Sequence, residues 1–308
     1  MSRTVAALLA IGLLAPACSP SPGEPSNGPT SVDASVSARV PGVADDVEQT
    51  PPSPDEPIPG GASNLAGELA ATWTARRDAV DAWVAAGGTG TWPPPQHVEL
   101  LVLREQRIYR LLASRPRLAE RVLELAPPEL AAEARSNVRA GGALFRHTTP
   151  VTRLPDLRTR APAPADVLRG YFESAERRFG VQWEVLAAVM LIETRMGRVV
   201  SRSSAGAQGP MQFLPSTWEA YGLGGDVKVE ADAVIGAANY LAASGAPTDY
   251  RGALYRYNPV DAYVTAVTQY AKVMRRDPAA FYAYYNWQVF VRTTKGDVRL
   301  TGPGLDRG

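Results

Sequence analysis

The run Val181-Gln182-Trp183-Glu184-Val185-Leu186-Ala187-Ala188-Val189-Met190-Leu191-Ile192, closed by Glu193, reads as a helix enclosed by other helices. Its apolar side chains fall on nearly every side, whereas a surface helix keeps one polar face. Helical spacing sets Leu186, Val189 and Met190 at i−7, i−4 and i−3 from Glu193, so the carboxyl shares its stripe with hydrocarbon. Loss of water around a carboxyl disfavours its charged form and raises its pKa. Gly197, just beyond, is placed to cap the helix. On this pattern alone two readings of Glu193 stand: a protonated acid held in an apolar site, or a helix-end carboxylate paired with Arg195 or Arg198.

About ten residues further on comes the small-residue loop Ser203-Ser204-Ala205-Gly206-Ala207-Gln208-Gly209-Pro210-Met211-Gln212. A carboxylic acid facing such a loop can donate its proton to an ether oxygen, because glycines let backbone come close to a ligand. Pro210 removes one backbone donor from the loop.

Four ordered blocks, covering roughly residues 165 to 290, resemble the lytic transglycosylases, lysozyme-like enzymes that cut the glycan strands of bacterial peptidoglycan. They are Glu193-Thr194-Arg195-Met196-Gly197-Arg198-Val199, the Ser203 to Gln212 loop, Ala238-Asn239-Tyr240, and Arg256-Tyr257-Asn258. The first and last look most like the membrane-bound B-type branch, and the loop is closer to the soluble branch.

The resemblance implies a mainly α, lysozyme-like catalytic domain in which Glu193 is the only catalytic acid. Glu193 would protonate the glycosidic oxygen between N-acetylmuramic acid and N-acetylglucosamine. As a carboxylate it would then take a proton from the muramic C6 hydroxyl, which attacks C1 and leaves a 1,6-anhydro sugar. Substrate contacts would fall to Ser203, Met211, Gln212, Tyr240, Tyr257 and Asn258. Each has a structural reading beside this one: Met211 as core filler, Tyr240 and Tyr257 as packing, Gln212 as a loop support. Ser204 could also take the place of Ser203.

Glycosidases of the two-carboxylate type need a second Asp or Glu about 5–10 Å away. The nearest acidic residues downstream, Glu219, Asp226, Glu230 and Asp232, lie outside the motif blocks and read as helix-face or turn residues. Their placement suits a reaction in which the substrate supplies its own nucleophile. Two alternatives keep the same fold: a muramidase that uses water, and an inactive wall-binding lipoprotein.

Composition narrows the classes further. A formal net charge of +1 over 308 residues gives no reason to expect nucleic acid as a partner. Two histidines and one cysteine cannot assemble a four-ligand zinc site. The expected partners are peptidoglycan strands and a membrane, with no cofactor and no metal.

The membrane expectation rests on residues 1–18, a basic start and a short apolar run ending at Ala15-Pro16-Ala17-Cys18, which reads as a signal peptide. Its end resembles the lipobox of bacterial lipoproteins, with Cys18 the lipidation site and the mature chain anchored in the cell envelope. An ordinary secreted protein cleaved after Ala17 is the other reading. Residues 19–61 are rich in Pro, Ser and Gly and read as a tether, able to reach about 130 Å when stretched.

Helical patterns then divide the rest. Residues 62–148 form an accessory helical region, with helices over 64–86 and 96–114 and shorter ones after Pro116 and Pro127-Pro128. Residues 149–164 are a Pro- and Arg-rich join, and 165–300 the catalytic domain. Within it Ser216 is expected to open a capping box. Helices follow over 232–243, 249–257 and 261–275, with a short one after Asp277-Pro278. A β-hairpin runs from Trp287 to Leu300.

Overall fold

A computed structural model describes residues 50–305; the leader, Cys18 and the tether as far as residue 49 lie outside the described residues. The chain is mainly helical. Helix α1 (Ala62–Ala85) ends where Gly87 takes a left-handed conformation, and a 3-10 turn over Gly88–Gly90 with the Trp92-Pro93-Pro94-Pro95 connector leads to α2 (Gln96–Ser114). Prolines then open both α3 (Pro116–Leu125) and α4 (Pro128–His147), where a missing backbone N–H costs nothing. α4 is 20 residues long, not the short helix its alanine-rich sequence suggests.

The second half contributes α5 (Ala165–Phe179), α6 (Trp183–Thr194), α7 (Pro215–Tyr221) and α8 (Glu230–Ala243). It continues through α9 (Tyr250–Tyr257), α10 (Asp261–Arg276) and α11 (Ala280–Tyr285). Strands β1 (Phe290–Thr293) and β2 (Gly296–Arg299) pair antiparallel, with Val291 opposite Val298. The hairpin and most helix limits agree with the sequence pattern. The capping box does not form. Pro215 takes the first helical position and Leu214 the cap, which leaves Ser216 inside the first turn of α7.

α6 is the axis of the bundle. Every one of its residues is buried, and α5, α10, α11 and α8 pack around it. α10 lies between α6 and α4, so helices from both halves share one core running from Leu65 on α1 to Trp287 after α11. Polar anchors reinforce the join: Gln106 on α2 exchanges two hydrogen bonds with the Gln288 backbone, at 2.9 and 2.8 Å. The 149–164 segment is held against the bundle by the Arg160 N–H donating to the Arg198 carbonyl and by the Tyr285 hydroxyl donating to that of Ala163.

Residues 51–61, read from composition as the end of a tether, instead lie along α2. The Arg104 and Arg107 guanidiniums donate to the carbonyls of Pro54, Glu56 and Pro57, which the sequence period gave no means to foresee. Beneath them α1, α2 and α4 enclose an ionic cluster. Arg76, 1% exposed, meets Glu105 at 3.1 Å and Glu133 at 2.9 Å, and the Trp73 indole donates to Glu133. Trp73 and Trp83 of α1 are thus used in packing, Trp83 lying edge-on to Tyr282.

Candidate active site

Glu193 stands in the last turn of α6 and is 5% exposed. Burial raises its carboxyl to a pKa of about 8, partly opposed by the Tyr263 hydroxyl on α10, which faces it. That hydroxyl has no other partner, and no closed hydrogen bond of ordinary geometry joins it to the carboxyl. Neither Arg195 nor Arg198 pairs with Glu193. Arg195 folds back on the Leu191 carbonyl of its own helix, and Arg198 donates to the Tyr285 carbonyl at 2.7 Å between the Trp92 and Tyr285 rings. The reading as an ion-paired helix-end carboxylate is therefore excluded.

The helix does not end on Gly197 as its sequence suggests. Arg195 caps it in the left-handed region (φ 54°), and Met196 (φ 59°) and Gly197 (φ 82°) continue in that conformation. Two successive non-glycine residues there are strained, a state that folded proteins keep where surrounding contacts impose it. Here Thr194 imposes it: its hydroxyl donates to the Pro210 carbonyl at 2.7 Å and accepts from the Gly197 N–H at 3.1 Å. The helix end bearing Glu193 is thereby tied to the small-residue loop. Pro210 lacks a donor, yet its carbonyl makes the link.

The loop is built by its own bonds. The Ser203 hydroxyl accepts from the Ala207 N–H at 3.0 Å, and Gln208 and Phe213 exchange backbone hydrogen bonds at 2.9 Å. Gly209 turns at φ 76°, and a Cβ there would meet the Val227 carbonyl oxygen at 1.8 Å. Gln212 is left-handed too (φ 51°), with its side-chain amide donating to the Gly209 carbonyl.

Comparison of the chain with protein families, curated proteins and solved structures gives no match.

The residues singled out in the sequence divide by what they do. The Tyr257 hydroxyl donates to the Met211 carbonyl at 2.6 Å, and its buried ring is close enough for the Glu193 charge to act on it. Tyr240 donates to the Arg256 carbonyl and its ring lies tilted between those of Tyr221 (4.6 Å between centroids) and Tyr257 (5.5 Å). Tyr263 continues the row, parallel to Tyr257 at 6.3 Å. Four tyrosines thus lead from the half-buried Tyr221 inward to the acid.

Met211 is a correction. Its side chain has no exposed surface, because the tight Gly209 turn drives it inward as core filler, and only its carbonyl serves the site. Gln212 and Asn258 each keep a buried side-chain oxygen without a partner. The pattern of the sequence missed Tyr263. A tyrosine on the apolar stripe with Ala266, Val267 and Tyr270 reads as core, and no periodicity separates a ring that fills space from a hydroxyl aimed at an acid.

The downstream acids are occupied elsewhere. Glu230 pairs with Arg160, Asp226 accepts from the Lys228 N–H, and Asp232 accepts from the Asp226 N–H. Glu219 is exposed on α7. None is among the groups that act on the Glu193 carboxyl.

Proposed function

We propose that this chain is a peptidoglycan lytic transglycosylase on a lysozyme-like fold, with Glu193 as acid and then base. One observation carries the reading: the buried Glu193 carboxyl is raised to about 8, with a tyrosine hydroxyl beside it and neither a cation nor a second carboxylate acting on it. The motif blocks of the sequence add the substrate class.

In the first step the Glu193 proton passes to the glycosidic oxygen as its bond to muramic C1 breaks, leaving an oxocarbenium ion and a carboxylate. The Tyr263 hydroxyl stabilises that carboxylate. In the second step the C6 hydroxyl bonds to C1 and its proton returns to Glu193. Atoms balance without water, so no second carboxylate is required. The unpartnered oxygens of Gln212 and Asn258 would accept from sugar hydroxyls, since buried acceptors left unmade are costly. Tyr221 and Tyr240, the half-buried outer end of the tyrosine row, would offer ring surface to the glycan strand, with Ser203 a further contact from the loop. Lipidation at Cys18 and attachment to the cell envelope belong to the same proposal and rest on the leader sequence alone.

The test is digestion of purified sacculi followed by mass analysis of the released fragments. Anhydro-muramic ends are expected, with the rate in Glu193→Gln lower by about a hundred- to ten-thousandfold. Reducing ends would make the enzyme a hydrolase, and binding without release would make it a wall-binding protein.

A further inference from the structure

A second site lies on another face of the helix that carries the acid. Ile192 and Arg195 of α6 help line a cavity of about 150 Å³, and Glu193 does not. Since Glu193 points about 100° away from Ile192 around the helix, the two sites are separated by the helix itself. The remaining walls come from α2, α4, α10 and the C-terminal hairpin, so the cavity exists only where both halves of the chain meet. Exposed Thr149 and Asp297 stand on its rim.

Its lining has two properties that differ from ordinary core. Three buried donors on it have no partner: the Tyr109 hydroxyl, the Asn137 side-chain N–H and the Trp287 indole N–H. Buried polar groups are nearly always paired, and three unpaired donors on residues around one cavity are an exception. The charge also has one sign in excess. Arg110, Arg195 and Arg292 line the cavity against Asp297 alone, which pairs with Arg110 at 2.7 Å. Arg195 and Arg292 are held by backbone carbonyls and meet no carboxylate among the described residues. Burial depresses the Arg195 pKa to about 10, as expected of a cation lacking an anion. Leu144, Phe145, Ile192 and Phe290 supply an apolar part of the lining.

We propose that this cavity binds a small organic carboxylate with an apolar body, the carboxylate meeting Arg195. A cavity of this volume has room for a body the size of a benzene ring. The inference stands apart from the proposed reaction and needs neither Glu193 nor the loop.

Benzoate, toluene and benzylamine at millimolar concentrations, titrated calorimetrically into the full chain, provide the test. Benzoate is expected to bind, with Arg195→Met weakening it by about tenfold or more and Arg195→Lys, which keeps the charge and loses the forked donors, several-fold. Arg195→Lys decides the matter if Arg195→Met fails to fold, because it retains the positive charge at that position. Glu193→Gln should bind benzoate as the parent does. Equal or tighter binding of toluene or benzylamine, no binding of benzoate, or benzoate binding indifferent to substitution of Arg195 would each overturn the proposal.

Discussion

Glu193 is held in a place that favours its proton, and two measurable consequences follow. Its pKa in the folded chain, about 8, lies above the ordinary 4.5 of an unfolded chain. The folded state therefore binds the proton more tightly, and stability from this group is full below pH 4.5 and lost as pH rises to about 8. Glu193→Gln removes that slope. The variant should melt like the parent in acid and higher than the parent at about pH 8, by an amount worth a few kcal/mol. Parallel melting curves at both pH values check this, and Glu105, also raised by burial, cancels between them. In activity the acid form should persist through neutral pH, with the rate falling about tenfold per unit above pH 8. Tyr263→Phe removes the one hydroxyl that lowers the Glu193 pKa. Its pH–rate profile should shift its alkaline limb upward, with a reduced maximum rate and little loss of stability, since that hydroxyl has no other partner. An unmoved limb would show that Tyr263 only packs.

At the scale of elements, the loop from Ser203 to Gln212 is tied to the end of the helix that bears the acid, through Thr194, and to Tyr257. Its shape depends on Gly209, where a positive φ and the approach of the Val227 carbonyl coincide. Gly209→Ala should cost about 2 kcal/mol or more and shift Pro210, and with it the tie to Thr194. Urea unfolding gives the cost, and the pH–rate profile shows whether the acid has moved. Stability and activity both unaffected would mean the loop can relax around the new methyl group.

For the molecule as a whole, the division suggested by sequence, with 62–148 as accessory and 165–300 as catalytic, does not correspond to two cores. α10 is covered by α4 on one side and α6 on the other, and the core is continuous through them. A fragment of residues 149–305 would keep the neighbours of α6 but expose the side of α10 that α4 covers. It should lack a cooperative thermal transition by near-ultraviolet circular dichroism, whereas residues 50–305 should show one. A sharp melt of the shorter fragment would make the first four helices a removable addition.

The all-apolar run ending on Glu193 was sufficient to foretell a buried helix, because helical period is a local property of the chain, while it left the acid open between a raised carboxyl and an ion pair. The glycines of the loop, the prolines that open α3 and α4, and the hairpin were legible for the same reason: each is a constraint on neighbouring residues. Partnership is different. That Arg195 and Arg198 turn away from Glu193, that Met211 points inward, and that Tyr263 faces the acid depend on α10 packing against α6 across some 70 positions of chain. The same distance hid the shared core and the donor-lined cavity. Sequence fixes which side chains are apolar and which can carry charge; which of them meet is decided by packing among helices far apart in the chain, and only the tertiary structure contains it.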